Sequence, residues 1–188
     1  LRLVMSGPVA ASEDPNAAPN AFQSDGEGNA SLEHELELFR SIHVTLRQAI
    51  AAAEALHPGS RTADISFDCK HDTPMFRVKT AMGQQIWENS VDARSVAIVG
   101  PETAARVKDL GEPERSNLLA LTNVRQNVSD AVDIAERVTS GKALSGGLAT
   151  EGGRLSFIVV VLSGNDLKQV VLDPPGAKQR SGASSRSR

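Results

Sequence analysis

The sequence has few aromatic residues: five Phe, one Trp and no Tyr, which together make up 3 % of its 188 residues. Proteins that bind single-stranded nucleic acid or sugars by stacking need several exposed rings. The formal net charge of -3 points the same way, because proteins that hold phosphate backbones carry a clear basic excess. We therefore expect no nucleic-acid partner.

Long apolar runs and paired cysteines are also missing. No stretch of about 18 consecutive apolar residues occurs, so the sequence predicts no membrane-spanning helix and at most a peripheral contact with a membrane. Cys69 is the only cysteine, which excludes an internal disulfide. The composition, 40 % hydrophobic and 23 % charged, is that of one ordinary domain or two small ones.

The N-terminal residues resemble a processed segment followed by an arm. Residues 1–11 (LRLVMSGPVAA) are similar to the end of an export signal peptide, with Val9 and Ala11 as the small residues before a cleavage point. Residues 12–31 are rich in Ala, Asn, Pro, Gly and acidic residues, a composition typical of a flexible arm. We expect a location outside the cytoplasm, such as the periplasm; the alternative is a disordered N-terminus of a cytoplasmic protein.

The C-terminal residues form a basic tail on an acidic body. Residues 174–188 contain Lys178, Arg180, Arg186 and Arg188 and no acidic residue. Such a tail is either solvated or lies on an acidic surface of a partner or of the chain itself. Lys178 and Arg180 are therefore candidate partner-binding residues.

An internal repeat lies between the two ends. Residues 45–54 (TLRQAIAAAE) recur 82 positions later as residues 127–136 (NVSDAVDIAE). Each copy begins with a capping residue, Thr45 or Asn127, which has Gln48 or Asp130 three residues on; the first pair is a capping box and the second a looser version. An apolar stripe at helical spacing follows in both copies. The repeat therefore predicts two equivalent amphipathic helices.

Strand patterns follow each predicted helix. The segment 76–79 (FRVK) aligns with 157–160 (FIVV) at a spacing of 81, so a single one-residue gap relates the copies. A strand is also predicted at about 63–69 and again at about 142–149, and the glycines at 83 and 164 suit hairpin turns. Short helical segments, 32–39 and 115–121, precede the two copies.

The predicted fold is α+β with two tandem units, each a helix packed on a small antiparallel three-stranded sheet. The boundaries are 1–31 for the signal remnant and flexible arm, 32–100 for the first unit, 101–113 for a linker, 114–173 for the second unit and 174–188 for the basic tail.

These residues resemble the PepSY family, small domains of peptidase propeptides and of many exported bacterial proteins. The resemblance rests on the order of capped helix, Gly-containing break and FRVK strand, and most specifically on 91–95 (VDARS), which is similar to the family's closing Val-Asp-Ala-x-Thr-Gly. Val96 stands where the family has Gly, and the second copy is degenerate, with 172–175 reading LDPP. The resemblance implies an exported, non-catalytic binding domain, in some relatives an inhibitor of peptidases.

Motifs for catalysis or cofactor binding are scarce. Cys69, His71 and Asp72 lie close together, but no Cys-x-x-Cys or His-Glu-x-x-His pattern accompanies them, so we predict no metal site. The Gly pairs at 146–147 and 152–153 flank a strand and do not open a helix, unlike phosphate-binding loops. We expect neither a cofactor nor an enzymatic activity.

The strand faces of the two copies differ. Side chains alternate across a strand, so Arg77 and Lys79 are predicted to face away from the helix, and the corresponding residues of the second copy are Ile158 and Val160. On the next strand Leu167 and Val171 face the same way. Burying such a side chain is worth about 1.5–3 kcal/mol, so something is expected to cover this face.

Three coverings are open: the first unit or the N-terminal arm, a partner protein, or a second copy of the chain. The sequence thus favours a non-catalytic, extracytoplasmic protein-binding module, an accessory subunit of a larger periplasmic or membrane-associated assembly. The alternative is a peptidase inhibitor or a chaperone-like regulator. The candidate partner-binding residues are Ile158, Val160, Leu167, Val171, Lys178 and Arg180. Trp87 is predicted to face the same side of its strand as Val91, so we expect it in the core.

Overall fold

The computed structural model describes residues 4–6, 25–70, 73–151 and 154–174. The basic tail, with Lys178 and Arg180, lies outside these ranges, as does most of the predicted N-terminal arm. Within them the chain forms four helices, α1 Asp25–Ser41, α2 Leu46–Leu56, α3 Glu114–Leu121 and α4 Val128–Thr139. The strands are β1 Val4–Ser6, β2 Arg61–Lys70, β3 Thr73–Met82, β4 Gln85–Asp92, β5 Ile98–Arg106, β6 Lys142–Glu151, β7 Arg154–Ser163 and β8 Asp166–Leu172.

The two repeated helices begin where the sequence predicts. The Thr45 Oγ1 accepts the backbone N–H of Gln48 at 3.3 Å, and the Thr45 N–H donates to Gln48 Oε1 at 2.9 Å. At α4 the Asn127 N–H donates to Asp130 Oδ2 at 2.8 Å. These bonds satisfy N–H groups that have no partner within the helix, and a good N-cap is worth about 1 kcal/mol.

All eight strands belong to one antiparallel sheet, in the order β1-β8-β7-β6-β2-β3-β4-β5. The α+β class is confirmed, but the two three-stranded sheets expected from the sequence are joined through β2 and β6. At the junction Ile65 lies opposite Gly146, flanked by the pairs Asp64–Gly147 and Ser66–Ser145. Ile65 and Gly146 are equivalent residues of the repeat, so this register has an approximate two-fold axis at its centre.

A glutamate on each repeated helix fixes the first strand of its unit. Glu54 Oε1 accepts the Thr62 N–H at 2.8 Å, and Glu136 Oε1 accepts the Ala143 N–H at 2.8 Å. Both donating residues, Thr62 and Ala143, lie just before an irregularity in the strand register. The glutamates are 82 residues apart and the two strand residues 81 apart, so the one-residue gap of the repeat falls between helix and strand.

Basic residues of the first strands connect the units reciprocally. Arg61 donates from Nη1 to Leu121 O at 2.7 Å and from Nη2 to Gln126 O at 2.6 Å, which ties β2 to the turn before α4. Lys142, the equivalent residue of β6, donates to Ile42 O at 2.5 Å, in the turn before α2. Each unit therefore supplies donors for carbonyls that the end of a helix leaves unpaired.

Residues 101–113, predicted as a linker, are largely structured. They contain most of β5 and a 3₁₀ turn, Val107–Asp109, so the connection between the units is itself folded onto the sheet. Gly100 and Pro101 suggested a loop, but β5 is an edge strand, where a proline N–H is not needed, and Gly100 adopts φ +73°. The hairpin turns expected at Gly83 and Gly164 are confirmed, with φ of +60° and +64°.

One face of the sheet, here called the inner face, carries α2 over β2, β3 and β4, and α4 over β6, β7 and β8. A single core runs through both units; its fully buried members include Phe39, Leu46, Ile65, Phe76, Val78, Val91, Val128, Val132, Phe157, Val159, Val161 and Val170. On the outer face a smaller cluster joins Leu118 of α3 and Val107 to Ala63 and Ile86. The helix α3 contacts β6 and β7 as well as β2, so it lies at the junction of the two units.

Candidate functional site

The four apolar residues singled out on the second unit share the outer face of β7 and β8. Ile158 lies directly opposite Val171, and Leu167 lies opposite Leu162. Val160 follows two residues after Ile158 on the same face. These residues, Ile158, Val160, Leu167 and Val171, are named the outer apolar patch. The alternation is confirmed, because the intervening Phe157 and Val159 are 2 % and 0 % exposed on the inner face.

The first unit presents ion pairs on the same outer face. Arg77 Nη2 lies 2.9 Å from Asp68 Oδ2. Lys79 Nζ lies 2.5 Å from Glu114 Oε1, which brings the first turn of α3 onto β3. Surface pairs of this kind add only about 0–1 kcal/mol each to stability.

The second unit has apolar residues at the strand positions of these ion pairs. Ile158 and Val160 occupy the positions of Arg77 and Lys79, at the strand spacing of 81. The same spacing puts Ala149 at the position of Asp68. The strands of the second unit therefore lack the charges that the first unit carries at Asp68, Arg77 and Lys79 on this face.

The two units also differ in how this face is covered. Ile86 is 4 % exposed and packs with Val107 and Leu118, whereas its counterpart Leu167 is 44 % exposed. Ile158, Val160 and Val171 are partly buried. Because β2 and β6 join the units edge to edge, the strands of the first unit lie beside the outer apolar patch.

The backbone edge next to the patch is paired. Strand β1 runs antiparallel to β8, with Met5 opposite Val170. Its residues, Val4–Ser6, belong to the segment predicted as a signal remnant. The accessible feature at β8 is therefore a sheet face, made of side chains, and not an open strand edge.

A polar cavity of about 300 Å³ lies between α3 and the outer face. Its lining includes Asp64, Lys79, Glu114 and Asn117. Desolvation raises the pKa of Asp64, and the carboxylates of Glu114 and Glu88 add to the rise while Lys79 opposes it. Burial by itself would lower the pKa of Lys79, but the hydrogen bond to Glu114 and the surrounding carboxylates outweigh burial and raise that pKa. This network holds the start of α3 on the sheet.

A second polar cluster lies on the inner face of the first unit. The rings of His57 and Trp87 stack with centroids 3.9 Å apart, and His57 Nε2 lies 2.9 Å from Glu102 Oε2. Asn89 Nδ2 donates to the same oxygen at 2.9 Å. Desolvation would raise the pKa of Glu102, but the hydrogen bonds from His57 and Asn89 outweigh it and lower that pKa. Trp87, expected in the core, is only partly buried.

This inner-face cluster contains buried polar groups that the second unit lacks. Thr80 and Asn89 are 0 % and 2 % exposed, and neither Thr80 Oγ1 nor Asn89 Oδ1 has a hydrogen-bond partner among the residues that the structure describes. Their counterparts in the second unit are Val161 and Val170, both 0 % exposed. An alignment of the two copies shows this difference between polar and apolar residues. The sequence alone did not indicate that these positions are buried.

The described ranges contain no group of three or more His, Cys, Asp or Glu side chains placed to hold a metal ion. Cys69 is partly buried, and the neighbouring His71 and Asp72 lie outside those ranges, so the prediction that these three residues hold no metal stays untested. Among the same residues no helix combines the length and apolar character needed to cross a membrane.

Comparison with protein-family models finds no match, and neither does comparison with curated proteins. Among solved structures, the chain is similar to a crystal structure of a putative lipoprotein from Clostridium difficile 630. The TM-score is 0.42 at 12 % sequence identity, and the alignment covers 75 % of this chain and 93 % of that chain. A similarity of this size carries no argument about function, and the PepSY resemblance stays a prediction.

Proposed function

We propose that this chain is a non-catalytic protein-binding module that works outside the cytoplasm, as an accessory subunit of a larger assembly. Its contact surface is the outer apolar patch. One observation carries the proposal: apolar residues of the second unit, Ala149, Ile158 and Val160, occupy the strand positions at which the first unit has the charged Asp68, Arg77 and Lys79.

Energetics support a role in binding over a role in folding. The first unit shows that this fold accepts charged residues on the outer face, where Arg77 and Lys79 are only partly buried. Aliphatic residues at these positions contribute little to stability while they are exposed to water. A partner that covers them gains about 25 cal/mol of binding free energy for each Å² of apolar surface removed from water. The exposed Leu167 adds to that gain.

The finer parts of the proposal are two tandem PepSY-like units and a periplasmic or similar location. The units are supported by the repeated order of one helix and three strands and by the equivalent bonds from Glu54 and Glu136. The location is supported by the composition of residues 1–11. Contact with a membrane is peripheral at most, through the partner.

Affinity capture from the native source tests the proposal. We expect wild-type protein to recover one partner in a fixed ratio, and I158D/V160D to lose it because each Asp puts a charge in the covered face. The matched control is L56D/V138D, since Leu56 and Val138 are each 43 % exposed on α2 and α4, the helices of the opposite, inner face. Equal recovery by both variants would refute the patch as the contact surface.

The identity of the captured partner separates the two kinds of binding module. A multi-subunit complex in fixed ratio supports the accessory subunit. A peptidase supports the inhibitor, and a changing set of unfolded clients supports the chaperone-like regulator. Circular dichroism of I158D/V160D checks that the helices remain; a globally unfolded variant would show that these side chains belong to the core.

A further inference from the structure

Strand β5 is the last strand of the sheet on the side of the first unit and pairs only with β4 among the described residues. At the opposite side of the sheet the chain adds β1 to β8. An edge strand presents every second backbone N–H and C=O to its open side, which makes it a template for another extended segment.

The protection of this edge is uneven along β5. Its first half contains Gly100, Pro101 and a register irregularity opposite the segment between Glu88 and Ser90, features that discourage pairing. The second half, 103–105, reads Thr-Ala-Ala and contains no charged or bulky side chain, and all three residues are exposed. Its backbone is therefore open to an incoming strand.

A basic pocket lies at the end of that second half. It has a volume of about 400 Å³ and is lined by Gln84, Gln85, Arg106 and Lys108. Arg106 and Lys108 are exposed, and within the described ranges neither has a carboxylate partner. Gln85 donates from Nε2 to Ala105 O at 2.8 Å, which fixes its amide at the pocket wall. The lining offers two cations and no anion.

We propose that the open edge of β5 binds an extended, acidic segment of a partner protein by strand addition. The segment pairs with the backbone of residues 103–106, and an acidic side chain or a terminal carboxylate enters the pocket next to Arg106 and Lys108. Backbone pairing supplies affinity in this recognition mode, and the pocket supplies selectivity. The site is separate from the outer apolar patch and does not depend on it.

The competing explanation is that Arg106 and Lys108 only guard the edge against self-association. Labelled peptides distinguish the two. The probe is an eight-residue peptide of alternating Thr and Val that ends in two Glu; a second peptide ends in two Gln, and a third carries N-methyl groups on alternate residues of the acidic sequence. Binding is measured by fluorescence anisotropy on the full chain.

We expect the acidic peptide to bind about tenfold or more tightly than the Gln peptide, and R106E/K108E to reverse that preference in favour of a peptide ending in two Lys. The control R125E/R137E makes the same charge change elsewhere and should leave binding unchanged. N-methylation should abolish binding while leaving the charges intact. Absence of binding by the acidic peptide, an unchanged affinity in R106E/K108E, or insensitivity to N-methylation would each overturn the proposal.

Discussion

Gly146 lies opposite Ile65 at the junction of the two units and directly beneath α4. A Cβ at this position would meet Val128 Cγ1 at 3.1 Å and Val132 Cγ2 at 3.2 Å. Helix and sheet therefore approach each other more closely here than a larger side chain allows. We expect Gly146→Val to lower the free energy of unfolding by about 1–3 kcal/mol, as overpacked cores do. Urea denaturation measures the change.

The control is Gly111→Ala, because an added Cβ there meets nothing within 4 Å. We expect an effect of less than about 0.5 kcal/mol. Equal effects of the two substitutions would show that the close approach of α4 to β6 is not a constraint on this fold.

The unpaired hydroxyl of Thr80 gives a stabilising prediction. Thr80→Val removes a buried Oγ1 that has no hydrogen-bond partner in the described part of the chain and introduces the residue type found at the equivalent Val161. We expect the free energy of unfolding to rise by about 1 kcal/mol. Thr62→Val is the matched control: Thr62 Oγ1 donates to Glu54 Oε1 at 2.9 Å, so this variant should be less stable. A destabilised T80V would contradict the account.

Stability at acidic pH depends on Glu102. Since the folded protein lowers the pKa of this carboxylate through His57 and Asn89, its contribution is present above the unfolded pKa of Glu and disappears as pH falls through the lower folded pKa. We expect part of the free energy of unfolding to be lost as the pH falls from neutral to about 4 and below. Glu102→Gln should remove this pH-dependent part.

Trp87 is the only tryptophan and stacks on His57, so its fluorescence reports this cluster directly. The emission of wild-type protein should change over the same acidic range, and that of E102Q should not. The exposed Glu33 provides the control variant, E33Q, which should keep the wild-type titration. Identical titrations of E102Q and wild type would show that Glu102 does not hold the cluster.

The contact of Arg61 with the turn before α4 is predicted to be a main link between the units. Arg61→Met removes the donor to the partly buried carbonyls of Leu121, Val124 and Gln126, and we expect the free energy of unfolding to fall by about 2–4 kcal/mol in urea denaturation. Arg47→Met is the control, because the Arg47 side chain is 66 % exposed where it pairs with Asp133. Its effect should stay below about 1 kcal/mol.

Local signals predicted much of this fold. The capping residues Thr45 and Asn127, the hairpin glycines and the alternation at Phe76 and Phe157 each act over a few residues, so the sequence is enough to locate them. Comparison of the two copies of the repeat then predicted which side chains of β7 and β8 face away from the helices. Their position on one face is confirmed.

Long-range pairing could not be predicted in the same way. The junction of Ile65 with Gly146 depends on how two units meet, and no local pattern encodes it. The pair of His57 with Glu102 bridges 45 positions without a spacing motif. Strand β5 was missed because Gly100 and Pro101 usually mark a loop, and only its place at the sheet edge makes them acceptable.

The central claim, that the outer apolar patch binds a partner, is tested most directly by restoring the charges of the first unit. The variant A149D/I158R/V160K places the side chains of Asp68, Arg77 and Lys79 at their equivalent strand positions. We predict that it melts within a few degrees of wild type and no longer captures the partner from its native source. Full capture by this folded variant would contradict the account.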